Sequence, residues 1–129
     1  TNLARKNLAK IGAPDNVTFY SRDIEEGFDQ KDMDAVFLDL PNPYDYLTQV
    51  RAALVPGGQF GTLLPTTNQI TKLLMELRRN NFEFIDVCEI LMRFYQAEAE
   101  KFRPVDRMVA HTGYLIFARP INKIEQSNE

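Results

Sequence analysis

An α/β domain with a largely parallel sheet and an antiparallel final strand is what this sequence predicts, on three observations. Helix-like and strand-like segments alternate along the chain, the central strand candidate Ala35–Leu38 is continuously apolar, and two strand candidates follow each other closely near the end. With 129 residues there is room for one domain around one core. A hydrophobic fraction of 44% beside 26% charged residues is ordinary globular composition and excludes disordered and low-complexity classes.

The elements follow in order. In TNLARKNLAKIG, Leu3, Ala4, Leu8 and Ile11 share one helical face, with Thr1 or Asn2 as N-cap and Gly12 as the stop. After the turn residues Pro14, Asp15 and Asn16, the alternation in VTFYSRD predicts a strand ending at Asp23. A polar connection leads to Ala35, Val36, Phe37 and Leu38, a run that suits a central parallel strand buried on both faces and stopping at Asp39. Two prolines then forbid helix until Pro43 can serve as its first residue. Leu47, Val50, Ala53 and Leu54 recur at helical spacing, and Pro56-Gly57-Gly58 ends that helix. QFGTLL predicts a strand, PTTNQITKLLMELRRNN a helix capped by Thr66, Thr67 or Asn68, and FEFIDV a strand through Phe82, Phe84, Ile85 and Val87. A charged irregular stretch, QAEAEKFRPVDRMVAH, precedes the last strand, TGYLIFARP, and residues 121–129 read as a frayed tail.

Several classes of function are disfavoured at once. No apolar run approaches the length of a bilayer span, and no signal-peptide pattern opens the chain, so a cytoplasmic protein with no membrane partner is expected. One cysteine, Cys88, and one histidine, His111, leave no ligand set for a metal site built from those residues. The net charge of −3 conceals a gradient: residues 1–50 hold five basic and nine acidic side chains, whereas residues 93–129 hold six and five. A nucleic acid would therefore meet a local patch, not a globally basic surface.

In open α/β sheets ligands sit beyond the carboxyl ends of the strands, which singles out Asp23, Asp39 and the residues after it, and the PTTNQ segment. Asp39 ends an apolar strand before the ring-constrained corner Leu40-Pro41-Asn42-Pro43-Tyr44, where a carboxylate can act as acid, base or hydrogen-bond acceptor. It can equally cap nearby backbone amides, and the same two readings apply to Asp23. PGGQFG lacks GxGxxG spacing and precedes a strand, so it is turn chemistry and not a phosphate cradle. His111 is either a hydrogen-bonded structural residue or part of a cluster with Lys101, Arg103 and Arg107, interleaved with Tyr95 and Phe102, that contacts phosphates and stacks on bases.

Taken together, DAVFLDLPNPYDYL, LVPGGQFGTLLPTTNQITKLL and RPVDRMVAHTGYLIFARP resemble, in order and spacing, the catalytic domain of the TrmI-type tRNA adenine-N1 methyltransferases. The resemblance runs from about Asn16 to Pro120, with Tyr44 where the family often has Trp and Ala110 where it often has Gly. It implies a Rossmann-like fold, S-adenosylmethionine as cofactor, tRNA as partner and methyl transfer to N1 of a T-loop adenine at position 58, in a cytoplasmic homo-oligomer, a tetramer in the family. It further implies that Asp39 is catalytic and lies near the donor, and that Asp23 and Ile24 hold the donor's adenine. Pro41, Asn42, Thr66, Thr67, Asn68, Gln69, His111 and Thr112 would then face the flipped nucleotide, with Arg103 at a phosphate or a subunit interface.

The family's glycine-rich donor loop and the acidic residue after its second strand are not among these 129 residues, and the chain opens at Thr1 on what resembles domain interior. Residues 1–120 are therefore expected to be the C-terminal two-thirds of a catalytic domain, with donor binding weak or absent and the fragment inactive alone. In the family's strand order, 3-2-1-4-5-7-6, losing strands 1 and 2 would part the Val17 strand from the Ala35 strand. Two alternatives stay open: a non-catalytic tRNA-binding or assembly subunit, and a methyltransferase acting on another substrate.

Overall fold

The computed structural model describes residues 2–122. Thr1 as a helix cap and residues 123–129 of the tail expected at 121–129 lie outside the described residues. The elements are α1 (Asn2–Lys10), β1 (Met33–Leu38), α2 (Leu47–Ala53), β2 (Leu54–Leu64), α3 (Thr67–Arg79), β3 (Phe82–Cys88) and β4 (Tyr114–Pro120). They build a single four-stranded sheet in the order β1-β2-β4-β3. β1 and β2 run parallel, and β4 runs antiparallel to both β2 and β3, so three strands share a direction and the last opposes them, as expected.

Strand alternation divides the sheet into one covered and one open face. Phe60, Thr62 and Leu64 of β2, Ile116 and Ala118 of β4, and Phe82 of β3 are buried. The apolar ones pack in one core with Leu47 and Val50 of α2 and Leu73 and Leu77 of α3. The rings of Phe60 and Phe82 meet edge-on, centroids 5.9 Å apart, at the centre of that core. On the opposite face Phe37 and Leu63 are exposed. The helical spacing of Leu47, Val50 and Ala53 does bury all three, while Leu54, also buried, is the first residue of β2.

Four expectations are corrected. Val17–Asp23 is no strand and joins no ladder. In the implied strand order this segment would stand three strand spacings, about 14 Å, from β1, and without intervening strands its backbone groups have no partner to pair with. The Ala35–Leu38 run lies on an edge strand, not a central one: only Leu38 is fully buried in β1, and Phe37 is 67% exposed. Continuous apolarity does not distinguish a strand with two neighbours from one with a single neighbour. Pro43 opens a 3-10 turn (Pro43–Asp45), and the α-helix begins only at Leu47. Finally, α2 ends at Ala53, so Pro56-Gly57-Gly58 sits inside β2 as a bulge facing Met33–Ala35. Gly57 has φ +74° there, a conformation that L side chains rarely adopt.

α1 forms with the expected apolar stripe, but it has no buried residue, and Leu3 and Ile11 are exposed. Its clearest tie to the chain is Arg5, whose guanidinium lies over the Phe19 ring at 4.8 Å. A guanidinium staple closes the opposite end of the domain. Arg51 of α2 donates to the carbonyls of Asn80, Asn81 (2.9 Å) and Ile121, joining the end of α3 to the residue that follows β4.

Candidate functional site

The carboxyl ends of β1 and β2 converge with the segment entering β4. Thr62 hydroxyl donates to the Leu38 carbonyl at 2.7 Å inside the sheet, pinning the residue before Asp39. Asp39 emerges exposed, and among the described residues no hydrogen bond engages its carboxylate. Capping of nearby amides is therefore not what it does here. Beside it a hollow of about 290 Å³ is lined by Asp39, Leu40, Pro41, Leu63, Pro65 and Thr112. A second hollow of about 330 Å³ runs from Asp39 along the open face, over Gly61 and Leu63 and between Phe37 and Phe117. Gly113 packs closely on Leu63: a Cβ there would stand 2.9 Å from a Leu63 methyl carbon, which would have to shift.

Thr66 caps the start of α3 and bonds to Gln69. The Thr66 hydroxyl accepts the Gln69 amide at 3.4 Å and donates to the Gln69 side-chain oxygen at 2.7 Å. The Gln69 side-chain amide then donates to the Pro41 carbonyl at 2.9 Å, tying the corner after Asp39 to α3. Thr67 is the first helical residue, and its carbonyl accepts the Thr71 hydroxyl; Asn68 is exposed in the same first turn. Asn42 is turned inward to its own corner, donating to the Asp45 carboxylate at 2.9 Å.

His111 has both ring nitrogens engaged. Nδ1 lies 2.5 Å from Glu89 Oε1 and Nε2 lies 2.8 Å from the Pro65 carbonyl, with the Tyr114 ring 4.7 Å away. The Pro65 carbonyl and the Glu89 carboxylate together hold its pKa above the usual histidine value, against a smaller opposing effect of desolvation. Glu89 was not legible as a partner in the sequence, being 22 residues away with no spacing signal.

The structure thus brings Asp39, Pro41, Thr66, Gln69, His111 and Thr112 into one neighbourhood. It places Asp23, Ile24 and Arg103 elsewhere. Asp23 caps the 3-10 turn Ile24–Glu26 by accepting the Glu25 amide at 3.0 Å, and with Ile24 it lines a separate open hollow of about 760 Å³ formed by residues between Thr18 and Gln30. Arg22 sits there too, paired with Asp29 and Glu26, which raise its pKa. Arg103 lies on the exposed arm between β3 and β4 and pairs with Asp106 at 3.4 Å. On the same arm Tyr95 and Phe102 stack on each other, centroids 5.2 Å apart and 12° from parallel, so their facing surfaces are taken. Among the described residues no group of three or more His, Cys, Asp or Glu could hold a metal ion, and no helix is long and apolar enough to cross a membrane.

Known proteins resemble this chain over nearly its whole length. The sequence model of the family described as the tRNA methyltransferase complex GCD14 subunit matches residues 1–103. The tRNA (adenine(57)-N(1)/adenine(58)-N(1))-methyltransferase TrmI of Methanocaldococcus jannaschii is 34% identical over 154 residues, taking in 98% of this chain and 55% of that protein. Among solved structures, a SAM-dependent O-methyltransferase from Thermotoga maritima superposes with a TM-score of 0.92 at 49% identity, over 97% of this chain and 47% of its own. The tRNA (m1A58) methyltransferase TrmI from Aquifex aeolicus gives 0.86 at 41% identity, over 95% of this chain and 49% of its own. The chain spans about half the length of these relatives.

Proposed function

The chain belongs to the family of the tRNA methyltransferase complex GCD14 subunit, and on that premise we propose that it carries the substrate side of a methyltransferase acting at N1 of adenine 58 in the T-loop of tRNA. The fold, a Rossmann-like sheet ending in an antiparallel strand, is that of S-adenosylmethionine-dependent methyltransferases. The observation that supports the reading best is the Asp39 carboxylate, without a hydrogen bond among the described residues, at the carboxyl end of a parallel strand and opening on a hollow.

N1 of adenine is a weak nucleophile and becomes cationic as it is methylated. A carboxylate that accepts a hydrogen bond from the exocyclic amine strengthens N1 and stabilises the charge that develops on the ring. Asp39 plays this part on an adenine turned out of its stack. Pro41 and Thr112 line the place where the ring sits, while the capped first turn of α3, with Thr67 and Asn68, faces the nucleotide's phosphates. Asn42, Thr66, Gln69 and His111 shape that place through the bonds described above, and Arg103 serves at a phosphate or subunit contact.

Residues 1–120 act as the later part of the catalytic domain. The donor would supply an electrophilic methyl group on a sulfonium. Asp39 and the segment Asp23–Ile24 suit one side of that molecule, but Asp23 already serves its own turn and the hollow around it is wide open. These residues fit part of a donor site, so the chain by itself binds S-adenosylmethionine weakly or not at all. Calorimetric titration of the 129-residue chain tests this, and micromolar affinity would contradict it. The protein works in the cytoplasm as a homo-oligomer.

Transfer of a labelled methyl group by the full-length protein tests the reading as a whole. Unmodified tRNA should accept label, and a transcript with adenine 58 replaced by guanine should not. Equal labelling of the two transcripts, or labelling only of small hydroxyl acceptors, would refute it.

A further inference from the structure

We propose that His111 is a positioning residue: a latch that ties both ends of the 89–112 arm to the carboxyl end of β2 and so holds Pro65 and Thr112 in place beside Asp39. The geometry carries this. Glu89 is the first residue after β3 and His111 lies just before β4, so their contact at 2.5 Å closes the arm at its base. The other nitrogen reaches the Pro65 carbonyl at 2.8 Å, and Pro65 and Thr112, on either side of the latch, both line the hollow that holds Asp39.

Both partners are acceptors. A neutral imidazole has a single N–H and can serve only one of them, whereas an imidazolium donates to the carboxylate and the carbonyl together. Closure of the latch therefore requires the protonated ring. The groups around it are Glu89 from the end of β3, the Pro65 carbonyl from the end of β2 and the Tyr114 ring from β4, with Asp39 across the adjoining hollow. Glu89 and the Pro65 carbonyl favour the charged ring, which keeps the latch closed to higher pH than an isolated histidine would allow.

The proposal rests on the preceding section only in calling this hollow the substrate's side, and its test needs neither donor nor RNA. His111 is the single histidine of the chain, so its ring Hε1 gives one signal in a proton NMR titration. That signal should titrate above the ordinary value of about 6.5, and the backbone amides of Asp39, Thr66 and Thr112 should shift with the same midpoint. The amide of Val50, in α2, should not move. Glu89→Gln should lower the common midpoint while leaving the three amides coupled to the ring, and His111→Gln should abolish the concerted shift. An imidazole that titrates without moving the three amides would overturn the proposal, as would one whose midpoint Glu89→Gln leaves unchanged. Either result would leave the methyl-transfer reading untouched, and loss of methyl transfer would leave the latch untouched.

Discussion

Replacing Thr62 by Val keeps the side chain's shape and removes one hydroxyl, and the structure says what that hydroxyl does. It is 5% exposed and donates at 2.7 Å to the carbonyl of Leu38, the residue that delivers Asp39 to the surface. A hydrogen bond of this kind contributes about 0.5–1.5 kcal/mol net, and a buried carbonyl left short of a partner costs about 1–3 kcal/mol. Thr62→Val should therefore destabilise the chain by about 1–1.5 kcal/mol. In urea, with a slope of about 1–3 kcal/mol/M, that lowers the midpoint by roughly 0.3–1.5 M without changing the slope. Thr71→Val is the control: this exposed hydroxyl donates to Thr67 within α3, and its loss should stay within about 0.5 kcal/mol. Hydrogen exchange at the Asp39 amide should quicken in Thr62→Val and not in Thr71→Val. Equal midpoints for Thr62→Val and the parent chain would refute the claim that this bond fixes the end of β1.

Other perturbations have equally definite outcomes. Arg51→Met removes three charged bonds to backbone carbonyls and should cost about 2 kcal/mol, seen first as lost exchange protection of the Ile121 amide, which donates to the Asn81 carbonyl. Stability should depend on pH through His111. Its folded pKa is raised, so the latch contributes fully below the unfolded value of about 6.5 and is lost as pH rises through the folded value; a series of denaturation curves from pH 6 to 9 should show this decline, and His111→Gln should flatten it. Leu73→Ala, at a site with 0% exposure in the core, should cost about 2–5 kcal/mol and lower the urea midpoint further than Thr62→Val does, as circular dichroism would show.

What was legible in the sequence was what short-range periodicity encodes. Leu47, Val50 and Ala53 are buried from α2 as their spacing requires, and of the three caps offered by Thr66, Thr67 and Asn68 it is Thr66 that caps the helix beginning at Thr67. Sheet membership was not legible in the same way. Val17–Asp23 has strand alternation, but a strand exists only where another edge lies within reach, and that depends on long-range neighbours. Phe84 illustrates the same limit: it adopts φ +53° at a break in the β3 register that nothing in FEFIDV announces.

The site shows a similar division. The rule that ligands sit at carboxyl strand ends singled out Asp39 and PTTNQ, and the structure brings these together with His111 and Thr112. The use each side chain makes of its position was harder to read. Gln69 holds the Pro41 carbonyl, Asn42 holds Asp45, and both nitrogens of His111 are engaged. These bonds link residues between 3 and 46 positions apart, and only folding reveals them. Asp39 remains as the carboxylate at this end of the sheet with no hydrogen bond among the described residues.

The central claim is that this free carboxylate strengthens the adenine nucleophile. Methyl transfer to unmodified tRNA by the full-length protein, compared between Asp39 and Asp39→Asn at saturating donor and RNA, tests it most directly. Removing one preorganised polar group from a transition state costs about 10²–10³ in kcat, and a loss of that size with tRNA affinity preserved is the predicted result. Turnover within a few-fold of the parent protein would contradict it.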